Sequence, residues 1–457
     1  MAMSLIRQPF TTATVLSLGV LLVASCNSED DPSPGDGDGD GTGAMGGSVG
    51  DGDGDGDGDG DGDATIDTSL HSYDADDERI VYLGRFDHEE PKAVRTSASA
   101  ATLTIAFRGT GVTALLDDEF RYGKYRNHYD VMLDGEIIAQ TALEKQQDSL
   151  TLVRDLPAGD YELSLVRRTE PGVGKSIFGG FEIDGVLLDP PAVPERKLLF
   201  IGDSITAGSG IDAKNGSSQC NESAFGEDTS DGWGIPYINA NRAYGPVTAR
   251  ALGAAYHVLG VSGIGLTRNY TVQYDMRPMP EVFDLMFLES NPVRIGGGGG
   301  AGGAGMVPDR YLWQKELYVP DGIVIALGTN DFSYGQTYDD DNYDLREEMD
   351  SGKFAEAYVD FIEKLRDDYP AAHIFAMSSP MLTDGWPYSD STFRSDHNDA
   401  IEMVAEHYEE QGFDRFDPIW VNKVPGGGCG THPDAEEHEE MAEIAAETIS
   451  EALDWSY

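Results

Sequence analysis

Between residues 80 and 188, apolar and polar positions alternate in short stretches, at 80–83, 103–107, 112–116, 129–133, 150–153 and 161–165. A period of two turns every other side chain to one face, which is the pattern of half-buried strands. Arg108-Gly109-Thr110-Gly111, Asp134-Gly135 and Pro157-Ala158-Gly159-Asp160 punctuate it as turns. Long helical periodicity is absent there, so residues 67–190 are expected to form an all-β sandwich, jelly-roll-like.

The texture changes after Pro190-Pro191-Ala192-Val193-Pro194. Leu198-Leu199-Phe200 opens a continuous apolar run, and further buried strands are expected at 256–261, 320–327 and 372–377. Helical spacing occupies 241–252, where Val247 and Leu252 would pack, and then 353–368, 395–411 and 435–453. Strands alternating with helices predict a three-layer α/β/α domain with a parallel sheet over 195–457. Ligands in such folds bind beyond the carboxyl ends of the strands. There the sequence places Gly202-Asp203-Ser204, Ser262-Gly263-Ile264-Gly265, Gly328-Thr329-Asn330-Asp331 and Ser378-Ser379-Pro380, followed later by Gly426-Gly427-Gly428-Cys429-Gly430-Thr431-His432-Pro433.

The first 66 residues carry neither pattern. Residues 1–25 hold Arg7, an apolar segment and Val23-Ala24-Ser25 before Cys26, the layout of a lipoprotein signal peptide with Cys26 as the lipidated residue. An ordinary secretory signal with an incidental cysteine is the alternative. Either way the chain is expected to be exported, either anchored by lipid at a bacterial cell envelope or secreted. Residues 26–66 are an Asp/Gly-rich tether, too poor in apolar side chains to offset the entropy of folding. Alternating Asp also suggests calcium capture, but the distal bidentate carboxylate and flanking helices of such loops are missing.

Charge narrows the partners. The 457 residues hold 31 Lys+Arg against 82 Asp+Glu, a formal net charge of -51, which argues against nucleic acid and against direct binding to acidic membranes. An uncharged polymer is compatible with it. No cofactor or metal is expected.

Ser204, on a tight turn between strand and helix, is a candidate nucleophile, although Gly, Asp and Ser also make ordinary turns. Gly263 could simply permit a turn, Asn330 could cap a helix, and His432 could be a plain loop histidine. His438 is the nearest rival to His432, while His373, on a strand, reads as a satisfied interior residue. In their order along the chain the four blocks resemble the SGNH, or GDSL-like, hydrolases. That resemblance implies Ser204 as nucleophile and His432 as its base. The N–H groups of Ser204 and Gly263 and the Asn330 amide would form the oxyanion hole, with Asp203 and Asp331 in support. Many members carry Asp three residues before the histidine, where this chain has Cys429. A Ser204–His432 dyad is therefore expected, with Nδ1 of His432 held by a backbone carbonyl or water; the alternative is a sequence-distant acid completing a triad. With Cys26 lipidated, Cys220 and Cys429 remain as a pair in an exported chain, and a disulfide between them is expected over two buried free thiols.

The sandwich ahead of this domain, Arg167-Arg168-Thr169-Glu170 within it, and the Cys-x-x-His-Pro ending together resemble carbohydrate esterase family two over roughly residues 80–453. The resemblance implies removal of O-acetyl groups from a polysaccharide such as xylan or glucomannan. Trp233, Trp313, Trp386 and Trp420 are candidate stacking platforms, with core packing as the alternative for each. The Gly/Ala insertion at 294–306 reads as an idle loop rather than a lid. Competing functions are a lipase or thioesterase of the same fold, and a non-catalytic carbohydrate-binding surface lipoprotein.

Overall fold

Strand β4 runs for 17 residues through the first domain, and the other strands of that domain are arranged around it. In the computed structural model, which describes residues 66–121, 125–213, 234–270, 277–288, 312–334, 347–386 and 388–456, nine antiparallel strands precede residue 190. These are β1 (Leu70–Asp74), β2 (Val81–Leu83), β3 (Val94–Thr96), β4 (Thr102–Asp118), β5 (His128–Leu133), β6 (Glu136–Ala142), β7 (Ser149–Val153), β8 (Gly159–Arg167) and β9 (Ser176–Leu187). The first half of β4 is flanked by β2 and β8, its second half by β9 and β7. One strand thus serves both layers of the expected sandwich, which close on Leu103, Ile105, Phe107, Leu163, Phe181 and Ile183.

Here the expectation of a turn at Arg108-Gly109-Thr110-Gly111 fails. The chain continues as one strand and the register against β9 merely shifts between Gly109 and Gly111. The glycines serve close approach: a Cβ on Gly109 would lie 2.2 Å from the Asp184 carbonyl oxygen, and one on Gly185 2.1 Å from that of Arg108. Bulges of this kind let a strand bend from one layer into the next.

Among the described residues the second domain holds five parallel strands in the order β11-β10-β12-β13-β14. They are β10 (Lys197–Gly202), β11 (Ala255–Gly260), β12 (Gly322–Ala326), β13 (His373–Met377) and β14 (Phe416–Ile419). Among the described residues six helices accompany them: α1 (Tyr244–Ala251), α2 (Met279–Val282), α3 (Thr329–Phe332), α4 (Ser351–Asp368), α5 (Phe393–Glu410) and α6 (Ala435–Leu453). On β10, between β11 and β12, the alternation sorts the layers. Leu198 and Phe200 pack with Tyr244, Met441 and Ala445 of α1 and α6. Leu199 and Ile201 face the opposite core with Phe354, Tyr358 and Val404 of α4 and α5. The antiparallel domain and the parallel α/β/α domain are both as the pattern implied. Strand β14 was not foreseen because Pro418 interrupts it, which an edge strand tolerates.

The two domains are joined by specific polar contacts. Arg85, fully buried, donates to the carbonyls of Phe283 and Leu285 at 2.6 and 2.7 Å. Arg168 reaches Asp212 at 2.6 Å, and Ser99 bridges to Val258. The calls on residues 1–25, on Cys26 and the tether, on Cys220, Trp233 and the insertion at 294–306 lie outside the described residues. Among the described residues no helix is long and apolar enough to cross a membrane.

Candidate active site

Strand β10 ends at Gly202, where a Cβ would come within 2.1 Å of Thr206 Oγ1, so only glycine permits the chain to turn back on itself there. Successive backbone bonds, Ala207 to Asp203, Gly208 to Ile205 and Ser209 to Ser204, wind the following segment tightly. Ser204 is left just beyond the carboxyl end of β10, 7% exposed. Its Oγ lies 2.7 Å from His432 Nε2, and His432 Nδ1 lies 2.7 Å from the carbonyl oxygen of Cys429. A carbonyl only accepts, so Nδ1 carries the proton and Nε2 is the acceptor for the serine hydroxyl. Among the described residues no carboxylate reaches this imidazole. Burial lowers its pKa below the ordinary histidine value, and the Cys429 carbonyl opposes that shift.

The loop that carries His432 is shaped by its glycines and by one glutamate. Gly426 has φ 81°, and a Cβ there would meet the Thr431 carbonyl oxygen at 2.4 Å. Gly210, φ 74°, abuts Cys429 backbone to backbone, and Cys429 N–H donates to its carbonyl at 3.2 Å. Glu437, in the first turn of α6, accepts from the N–H groups of Gly426, Gly427 and Asp434 at 2.8–2.9 Å. Asp434 caps the same helix by accepting from Glu437 N–H, a reciprocal capping box. Cys429 is disulfide-bonded, and the partner foreseen for it, Cys220, lies outside the described residues.

Across the site, Gly263 follows β11 with φ 77°. Among the described residues, neither its N–H nor that of Ser204 has an acceptor within the chain. Asn330, in α3 at the end of β12, is buried beside them. Its amide donates to the Ile264 carbonyl at 2.7 Å and to Asp203 Oδ2 at 3.1 Å. Asp331 is fully buried and accepts from the N–H groups of Leu266, Thr267 and Arg268 and from the Thr267 hydroxyl at 2.7–2.9 Å, fixing the loop after Gly263. Asp203, also fully buried, accepts from Ile205 N–H at 2.9 Å. Burial pushes its pKa up to about 7, with Asp331 adding to the rise and hydrogen bonds from Ile205 and Thr329 opposing it.

Residues 198–445, more than half of the chain, match the family described as GDSL-like Lipase/Acylhydrolase. The chain belongs to that family. Residues 82–191 match Carbohydrate esterase 2 N-terminal, so this GDSL-like hydrolase carries the two domains of a family two carbohydrate esterase. It is 28% identical to the cellulase/esterase CelE of Acetivibrio thermocellus over 84% of its own length and 40% of that protein's. It is 25% identical to an acetylxylan esterase / glucomannan deacetylase of Cellvibrio japonicus, covering 85% of the chain and 93% of the relative. Among solved structures, a family two carbohydrate esterase from Clostridium thermocellum in complex with cellohexaose superposes with a TM-score of 0.65. There the identity is 28%, over 82% of this chain and 100% of the other.

Other candidates of the GDSL-like hydrolase fall elsewhere. His438 does not compete for Ser204: it is fully buried, its Nδ1 accepts from Tyr244 N–H at 3.2 Å, and burial drives its pKa to about 3. His373 begins β13 and bonds Asp417 at 2.7 Å. Trp313 is buried against His257 and Arg85, so it packs the domain junction. Trp386 and Trp420 are 52% and 41% exposed, and Trp386 meets the Tyr334 ring edge-on at 5.0 Å. Among the described residues no group of three His, Cys, Asp or Glu side chains could hold a metal ion. Sequence reasoning missed Glu437, although Asp434-x-x-Glu437 is the spacing of a capping box. It also missed what Glu170 does: from the antiparallel domain its Oε2 accepts from Ser262 N–H at 2.6 Å.

Proposed function

We propose that this carbohydrate esterase removes O-acetyl groups from a neutral polysaccharide through a Ser204–His432 dyad and an acyl-enzyme. The observation that carries the reading is the aligned pair of 2.7 Å contacts, serine to imidazole to backbone carbonyl. His432 Nε2 takes the hydroxyl proton as Ser204 Oγ bonds to the ester carbon. Negative charge on the carbonyl oxygen is met by the N–H groups of Ser204 and Gly263 and by the Asn330 amide once it swings from Asp203. The carbon–oxygen bond to the sugar then breaks, and His432 returns its proton to the departing sugar oxygen. Water, deprotonated by the same imidazole, releases acetate and restores Ser204.

The substrate class rests on three supports. The relatives are named for acetylxylan and glucomannan, the Clostridium thermocellum structure holds cellohexaose, and the exposed Trp386 with Tyr334 offers apolar faces for sugar rings. The heavy negative charge fits an uncharged polymer. The competing reading is a lipase or thioesterase of the same fold. The test is acetate release from acetylated xylan and glucomannan against release of longer acyl groups, with Ser204→Ala as control. Equal release by wild type and Ser204→Ala would reject the esterase reading in favour of a binding protein.

A further inference from the structure

We propose that Glu170 is a positioning residue for the oxyanion loop, so that the antiparallel domain completes the catalytic site of its neighbour; this rests on the esterase reading above. The contact is short, charge-assisted and shielded: Glu170 Oε2 lies 2.6 Å from Ser262 N, and Glu170 is 9% exposed. Ser262 immediately precedes Gly263, whose N–H points to no acceptor in the described chain. The Ser262 hydroxyl meets Ser209 Oγ at 2.8 Å, and Ser209 N–H donates to the Ser204 carbonyl at 2.9 Å. Both backbone donors of the oxyanion hole are thereby tied, through Ser262, to one carboxylate of the other domain.

The backbone that carries that carboxylate is itself held in place. The Glu170 carbonyl accepts from Arg167 and from Val173 N–H, each at 3.1 Å. Arg167, buried to 1% exposure, also spans Ser97, Thr169, Asn127 and Gly174. Burial raises the Glu170 pKa, and the Ser262 N–H and hydroxyl, with Arg167, oppose that shift. Mere glue between domains would not need this placement. Arg85 supplies such glue through the Phe283 and Leu285 carbonyls, with no bond to the Ser262–Gly263 segment.

The experiment compares Glu170→Ala, Glu170→Gln and Arg85→Met in the full chain, with p-nitrophenyl acetate as probe. Because a slight misplacement of reacting groups is expensive, Glu170→Ala should lower kcat by about 10- to 100-fold while KM stays within about threefold. Glu170→Gln keeps an acceptor oxygen and should recover kcat to within about threefold of wild type, and Arg85→Met should keep it there despite lowering Tm. Hydrogen exchange of the peptide spanning 261–266 should quicken in Glu170→Ala alone. The proposal is overturned if kcat of Glu170→Ala stays within threefold of wild type, if Gln serves no better than Ala, if Arg85→Met loses as much, or if exchange at 261–266 is unchanged. If wild type turns over no acetate ester, the esterase reading fails, and the exchange result alone decides whether Glu170 holds this loop.

Discussion

Two loops build the site from opposite directions, and they are supported in different ways. The loop bearing His432 is held from nearby in sequence: Glu437 and Asp434 belong to the helix it leads into, and Gly426 and Gly428 let it fold onto itself. The loop bearing Gly263 owes its shape to distant residues, Asp331 on α3 and Glu170 in the other domain. One is a local device and the other a product of tertiary assembly. Damage to the first should therefore stay local, whereas damage to the second should spread.

The largest effect tests whether both loops serve one reaction. Ser204→Ala and His432→Ala should each lower kcat by about 10⁴-fold or more, and a double variant should be scarcely worse, because members of one catalytic unit are not additive. Additive losses measured on an aryl acetate would break that unity. Next, Asn330→Ala should cost about 10²- to 10³-fold in kcat with little change in KM, the size found for a lost oxyanion donor. Asp331→Ala leaves the N–H groups of Leu266, Thr267 and Arg268 without their acceptor, the first of them buried, and should destabilise the chain by about 2 kcal/mol or more, seen as a lower urea midpoint. Glu437→Ala should cost about 2 kcal/mol and should speed hydrogen exchange only around 426–434. Faster exchange at 262–268 in that variant would erase the distinction between the loops.

The smallest effect is in pH. In the proposed dyad the base must be neutral, so kcat/KM should fall as pH drops through the His432 pKa. Burial lowers that pKa, which puts the midpoint of the acid limb below pH 6.5, the ordinary histidine value; a midpoint above it would contradict the buried, carbonyl-held imidazole.

How much of this was readable in the chain depends on the range of each interaction. Strands β10, β11, β12 and β13 were legible because both faces are buried and their apolar runs are unbroken. Ser204, Gly263, Asn330 and His432 were singled out by motif order, and the structure gathers them at the strand ends. Gly109 and Gly111 misled because glycine signals either a reversal or a close approach, and only the presence of β9 decides between them. The expected support role of Asp331 could be named, but its four donors belong to a loop more than sixty positions earlier. Glu170 was quoted as part of a motif with no role attached, since nothing in the sequence says that its carboxylate meets Ser262. Carboxylates that hold backbone across long separations leave no periodic trace.

Strand β4 has a consequence for how the molecule is made. Phe107 pairs with Leu187 and Asp118 with Ser176, so the second half of β4 lacks one of its two neighbours until β9 has been synthesised. Pairing at such separation is slow, because the chain entropy of closing the loop is lost before the contacts form. That edge of β4, like β1 and β3 before it, thus waits for its β9 partner during synthesis. Substitutions at Gly109 or Gly185 should first appear as poor yield and aggregation rather than as altered catalysis by the protein that does fold.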